Sequence, residues 1–164
     1  GNLSGLASGS VSGMIDGSQF NADKAYKDSK LCNILFAKEL SYRLSKKKFC
    51  IPVIAWAPGL VISRDSQGFF RYSRKYNQLG QVLFASLARD LLKITTTNEK
   101  AGMLLCDLVS LCKYNKTGFN FYSNKLISLG KFIFEKTTIS DEAKKDGLSN
   151  KLWELSESLI DKKC

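Results

Sequence analysis

Residues 49–57, FCIPVIAWA, form a nearly unbroken apolar run that closes on Pro58-Gly59. A strand that is apolar on both faces needs cover on both, the situation of a parallel sheet flanked by helices. The stretch before it has helical spacing, so helix, short link and buried strand make the α–β step of a βαβ unit. More than any other feature, this run commits the chain to an α/β fold. Pro52 is compatible with a strand only near its start. Ligands of such sheets bind beyond the carboxyl ends of the strands, so residues 58–63 fall where function is expected.

The helix is expected over residues 23–45, with Ala25, Leu31, Cys32, Leu35, Leu40 and Leu44 supplying pairs at i+3 and i+4. Asn21 suits its N-cap, and Asp23 suits the positive end of its dipole. Residues 1–20 are rich in Gly and Ser and read as a surface segment. Downstream, residues 66–77 (SQGFFRYSRKYN) are aromatic and basic, and helices are expected at 79–92 and 99–111. Residues 118–123 read as a strand with apolar alternation at Phe119 and Phe121. A last helix is expected over 140–161, broken near Gly147 and opening on a capping-box-like region at Ser140. No internal repeat or second domain is visible.

Composition excludes several functions. The chain has no histidine, which removes His-based catalytic triads and two-histidine zinc sites. A general acid or base must therefore be Tyr, Lys, Asp, Glu or Cys. The five cysteines are an odd number without CxxC spacing, so a reducing compartment is the simpler reading than a disulfide framework or metal cluster. Net charge is +10, but the basic residues are dispersed, unlike the concentrated stripe of a nucleic-acid binder, and no such partner is expected. The one dense run, residues 46–48, reads as the solvated end of a helix. No apolar run reaches the length needed to span a membrane, and no signal or transit peptide is visible.

Tyr26 and Lys30 stand four apart at the start of the expected helix, so both side chains leave the same face. A neighbouring ammonium favours the phenolate form and suits a tyrosine to proton transfer. The spacing alone is common in exposed helices. Its setting is more informative: the helix feeds a buried strand that ends in Pro58-Gly59, with a hydroxyl at Ser63.

That order resembles the second half of the short-chain dehydrogenase/reductase fold. The resemblance sharpens at MIDG (residues 14–17) and KAYKDSKLCN (residues 24–33), and again at KTG (116–118) and KLWELSE (151–157). These segments are similar to the light-dependent protochlorophyllide reductases, and the match covers nearly the whole chain. It implies NADPH-dependent reduction of one double bond in protochlorophyllide, triggered by light that the pigment absorbs. Tyr26 would be the proton donor and Lys30 the anchor of the nicotinamide ribose. Pro58, Gly59 and Ser63 would flank the nicotinamide, Ser63 standing where a Thr is usual. Cys32 matches a cysteine near the pigment, which would make it a catalytic and substrate-binding residue beside Tyr26 and Lys30, and it reads equally well as a small buried helix residue. Leu60 stands where the family often has Cys, and residues 64–67 depart from the usual continuation, which Gly68-Phe69-Phe70-Arg71 partly restores. Phe69 and Phe70 would belong to a lid over the pigment, although aromatics there also serve packing.

The resemblance further implies a plastid setting or a cyanobacterial one, peripheral association with internal membranes, and a homo-oligomer. GNLSGLASGSVSG (residues 1–13) follows no hydrophobic strand, so it is no dinucleotide fingerprint. The expected fold is therefore the C-terminal half of a Rossmann-like doubly wound parallel sheet. Residues 1–164 would be a partial domain without its phosphate-binding half, folding poorly and inactive alone. Two other readings stay open: a short-chain reductase with another substrate, and a non-catalytic pigment-binding fragment.

Overall fold

The computed structural model describes residues 3–7, 14–62 and 77–161. Helix α1 (Ser4–Ala7) precedes the long helix α2 (Ala22–Lys46) and strand β1 (Pro52–Ala57). Helix α3 (Gln78–Ser86) runs into a wider turn at Leu87–Leu91, followed by α4 (Asn98–Ser110). Strands β2 (Gly118–Ser128) and β3 (Lys131–Lys136) come next, then α5 (Asp141–Lys144) and α6 (Leu148–Asp161). The three strands form one sheet in the order β1-β2-β3. β2 and β3 are antiparallel, in register from Tyr122 opposite Lys136 to Leu126 opposite Phe132, after which a register shift sets Ser128 opposite Lys131. An isolated parallel bridge joins Val61 to Thr96.

The chain divides into two compact units. In the first (residues 1–55, 117–121 and 138–164), α6 packs along α2. Leu3, Leu35, Ala143 and Leu152 form its buried centre, with Leu31, Cys32, Ile34, Leu148 and Leu155 packed around it. Burying one such leucine contributes roughly 1.5–3 kcal/mol. The ends of α2 follow from local chemistry. The Asn21 side chain accepts from the Lys24 amide at 2.9 Å, and Asp23 lies in the first turn. At the other end the Lys48 amide donates to the Ser45 carbonyl and the Phe49 amide to the Leu44 carbonyl, with Lys48 left-handed at φ 60. That is a Schellman closure with lysine where glycine is usual. The run 46–48 is accordingly the exposed end of a helix, as its charge implied.

The second unit comprises residues 56–116 and 122–137. Its buried centre is smaller: Ile62, Ala85 and Ala88, with Ile94 packed against them.

Two expectations need correction. The run at 49–57 is not a fully buried strand: β1 begins at Pro52, every residue in it is half-buried, and Phe49 and Ile51 are exposed. The sheet order explains this, because β1 is an edge strand among the described residues. Strand β2 is also longer than residues 118–123, and its buried alternation has the other parity. Asn120, Tyr122 and Asn124 are buried, whereas Phe119 and Phe121 are half-buried. The break near Gly147 is present, with Gly147 at φ 70 between α5 and α6, and the Ser140 side chain caps α5 by accepting from Ala143.

Candidate active site

Tyr26 lies in the second turn of α2 and Lys30 one turn further on. The Lys30 ammonium sits 5.4 Å from the centroid of the Tyr26 ring. It therefore meets the face of the ring, a cation–π geometry. Both side chains are exposed, Tyr26 at 48%, so the pair is open to a ligand. The Ser29 hydroxyl donates to the Tyr26 carbonyl at 2.7 Å and holds the turn from within.

The turn that carries Tyr26 is also tied to the MIDG segment. Met14 to Ser18 form a tight turn in which the Gly17 amide donates to the Met14 carbonyl at 2.8 Å, with Gly17 at φ 80. Few residues other than glycine take that conformation readily. Asp16 accepts from the Ser18 hydroxyl at 2.7 Å and from the Ser18 amide at 3.2 Å. Its other oxygen meets the Lys24 ammonium at 3.0 Å, and Lys24 reaches Asp28 at 2.6 Å. The Ser18 hydroxyl, then Lys24, holds the Asp16 carboxyl far below the usual carboxylate range, and Asp28, then Asp16, raises Lys24. One ammonium thus joins the two segments, MIDG and KAYKDSKLCN, on which the family resemblance rests.

Cys32 lies on a different face. It is half-buried against the Leu35–Leu152 core and borders an apolar groove of about 310 Å³ between α2 and α6, with Phe36, Trp153 and Ile160. Burial pushes its thiol up, helped by the negative charge of Asp28. A thiol held protonated this way is a poor nucleophile. It is suited to filling space or donating a hydrogen bond.

In the second unit, Pro58 and Gly59 follow β1 as a strap pinned from the side. Asn124 donates through Nδ2 to the Pro58 carbonyl at 3.2 Å and to the Thr96 hydroxyl at 2.9 Å. The Thr96 amide donates to the Leu60 carbonyl at 2.8 Å. Gly59 has φ 84, and a Cβ there would stand 3.1 Å from the Asn124 carbonyl oxygen, so the strap approaches backbone that a side chain would push away. Neither Asn124 nor Thr96 stood out in the sequence, where the one available signal was the position of Asn124 just past an expected strand. A second cavity of about 680 Å³ in this unit is lined by Ile62, Arg89, Lys93, Thr97, Lys100 and Phe132, among others. Ser63, Phe69 and Phe70 lie outside the described residues.

The described elements make a mixed α/β fold, with an antiparallel β2–β3 pair and a parallel bridge, consistent with part of a Rossmann-like sheet. Curated relatives narrow the resemblance to the protochlorophyllide reductases. The chain is 33% identical over 165 residues to a rice protein (Oryza sativa subsp. japonica) named protochlorophyllide reductase B, chloroplastic, covering 98% of this chain and 38% of the relative. It is 34% identical over 163 residues to the Marchantia paleacea protochlorophyllide reductase, covering 97% and 33%. The Chlamydomonas reinhardtii protein of that name is 31% identical over 162 residues, covering 98% and 38%. This chain thus spans little more than a third of the length of these relatives, whose names place them in the chloroplast. No family model matches the chain. The resemblance first seen at MIDG and KAYKDSKLCN extends over nearly all of it.

Proposed function

We propose that this chain is the proton-donating part of an NADPH-dependent, light-driven protochlorophyllide reductase of a plastid. The observation that carries the reading is the exposed Tyr26–Lys30 pair at the start of α2, inside a segment similar to the named relatives. Tyr26 delivers the proton to the substrate carbon, and Lys30 both faces the Tyr26 ring and donates to the ribose hydroxyls. Pro58, Gly59 and Ser63 hold the nicotinamide end. Left-handed Gly59, where a Cβ would crowd the Asn124 carbonyl at 3.1 Å, leaves the strap bare of a side chain, which fits a flat ring laid against it. When bound, the reduced cofactor supplies the hydride. Cys32 lies beside the pigment as a protonated thiol, and Phe69 and Phe70 stack on it from the lid. Protochlorophyllide is the partner, alongside a plastid membrane surface and a second copy of the protein.

The dinucleotide phosphates are held by a part of the intact protein outside residues 1–164, so this piece alone does not turn over. The test is flash photolysis of the intact protein with protochlorophyllide and NADPH. Parent protein forms chlorophyllide, and Tyr26→Phe lowers the yield per flash by about 10²–10⁴-fold, the range for losing a general acid. A Tyr26→Phe protein as active as the parent refutes the assignment. Conversion of an unrelated carbonyl substrate, with none of the pigment, favours a different short-chain reductase.

A further inference from the structure

We propose that Lys24 is a positioning residue for Tyr26, fixing the first turn of α2 and with it the angle at which the next turn presents the phenol. The proposal rests on Tyr26 being the proton donor. The Lys24 ammonium is held 3.0 Å from Asp16 and 2.6 Å from Asp28, so both of its partners belong to the scaffold. Lys24 and Asp28 stand two residues before and two after Tyr26, on the back of the helix relative to the phenol. Asp16 belongs to the 14–18 turn, which is itself anchored: the Gly5 amide donates to the Ile15 carbonyl at 2.9 Å, and the Ser4 hydroxyl to the Asp16 carbonyl at 2.7 Å.

The first turn of a helix is where its backbone has the fewest internal hydrogen bonds and frays most readily. Here Asn21 caps that turn and Lys24 ties it across to a second segment. A tyrosine one turn in from a fraying helix end shares the motion of that end, whereas proton transfer needs one direction. Displacement of a reacting group by about 1 Å can lower turnover by about 100-fold. Lys24 therefore acts through Tyr26, touching neither substrate nor cofactor.

The experiment compares the intact protein with Lys24→Met, Lys24→Arg, Asp16→Asn and Tyr26→Phe, measuring turnover and KM for protochlorophyllide and NADPH, with the thermal midpoint of each. The expected result is that Lys24→Met lowers turnover about tenfold or more while both KM values stay within about twofold. Lys24→Arg recovers most of the loss, and Asp16→Asn, which keeps the Asp28 bond, falls between. Unchanged turnover in Lys24→Met overturns the proposal. So does a loss matched by raised KM values and a lowered midpoint that arginine does not rescue, because that is a folding defect alone. Should Lys24→Met not fold, the turnover-to-KM split of Asp16→Asn decides on the same criteria. An active Tyr26→Phe protein overturns the underlying assignment, whatever the Lys24 variants do.

Discussion

Asn124→Leu tests how the strap at Pro58-Gly59 is held. Leucine keeps the number and branching of the side-chain heavy atoms and removes both donors of the side-chain amide. In the native unit that amide serves the Pro58 carbonyl at 3.2 Å and the Thr96 hydroxyl at 2.9 Å. Asn124 is 6% exposed and Thr96 1%, so water cannot readily replace either bond. A net hydrogen bond is worth about 0.5–1.5 kcal/mol, so two give about 1–3 kcal/mol. A central value of about 2 kcal/mol is a roughly 30-fold fall in the folding equilibrium constant. Urea unfolding of the intact protein, read from the transition midpoint at constant slope, measures it. On the proposed reading that the strap holds the nicotinamide, losing the Pro58 tether weakens NADPH affinity by about three- to tenfold. A destabilisation under about 0.5 kcal/mol with unchanged cofactor affinity refutes the argument that Asn124 fixes the strap.

Gly59→Ala places a Cβ 3.1 Å from backbone oxygen at φ 84; it should cost about 1–2 kcal/mol in the same urea assay and weaken NADPH binding, and a neutral result would show that the strap shifts freely. Leu35→Ala empties a fully buried site among Leu3, Ala143 and Leu152, and about 3 kcal/mol is expected; a loss below about 1 kcal/mol would mean the α2–α6 packing collapses around the gap. Cys32 should be alkylated by iodoacetamide at pH 8 at least about fivefold more slowly than exposed Cys50, as peptide mass spectrometry would show. Since the folded state raises the Cys32 thiol, its contribution to stability is full below about pH 8.5 and is lost as pH climbs beyond that; equal alkylation rates would contradict that burial.

The helices were legible because their signals are local. Asn21, Asp23 and Ser140 announce helix starts through side chains that can reach only a few residues along the chain, and each sits where that chemistry placed it. The Tyr26–Lys30 spacing was legible for the same reason. Strands depend on partners distant in sequence, and there the reading fell short. Residues 124–128 carry poor strand formers such as Asn124 and Lys125, yet they continue β2 because β3 pairs with them, Lys125 opposite Ile133 and Asn124 opposite Phe134. No strand was expected at Lys131–Lys136, although a two-residue turn with Gly130 at φ 73 and the alternating apolar Phe132 and Phe134 are its signature in retrospect. The burial of β1 was overstated because apolar content describes what a strand can tolerate, and the number of neighbours decides what it receives. The ion pair of Lys24 with Asp16, and the Asn124 tether, link distant segments through single side chains, and periodicity carries no trace of them.

The stack on α6 gives the protein an optical reporter of its own. Trp153 lies face to face with Phe36, their centroids 5.3 Å apart and their planes within 5°, with the Arg43 guanidinium 4.7 Å from the Trp153 ring. Its indole N–H donates to Glu157 at 2.7 Å. The chain has one other tryptophan, Trp56, which falls in the second unit. In a Trp56→Phe background the indole emission comes from the α2–α6 seam, and in a Trp153→Phe background from β1. Two versions of the protein, each with one of these indoles as its sole tryptophan, would report separately on the melting of the two units.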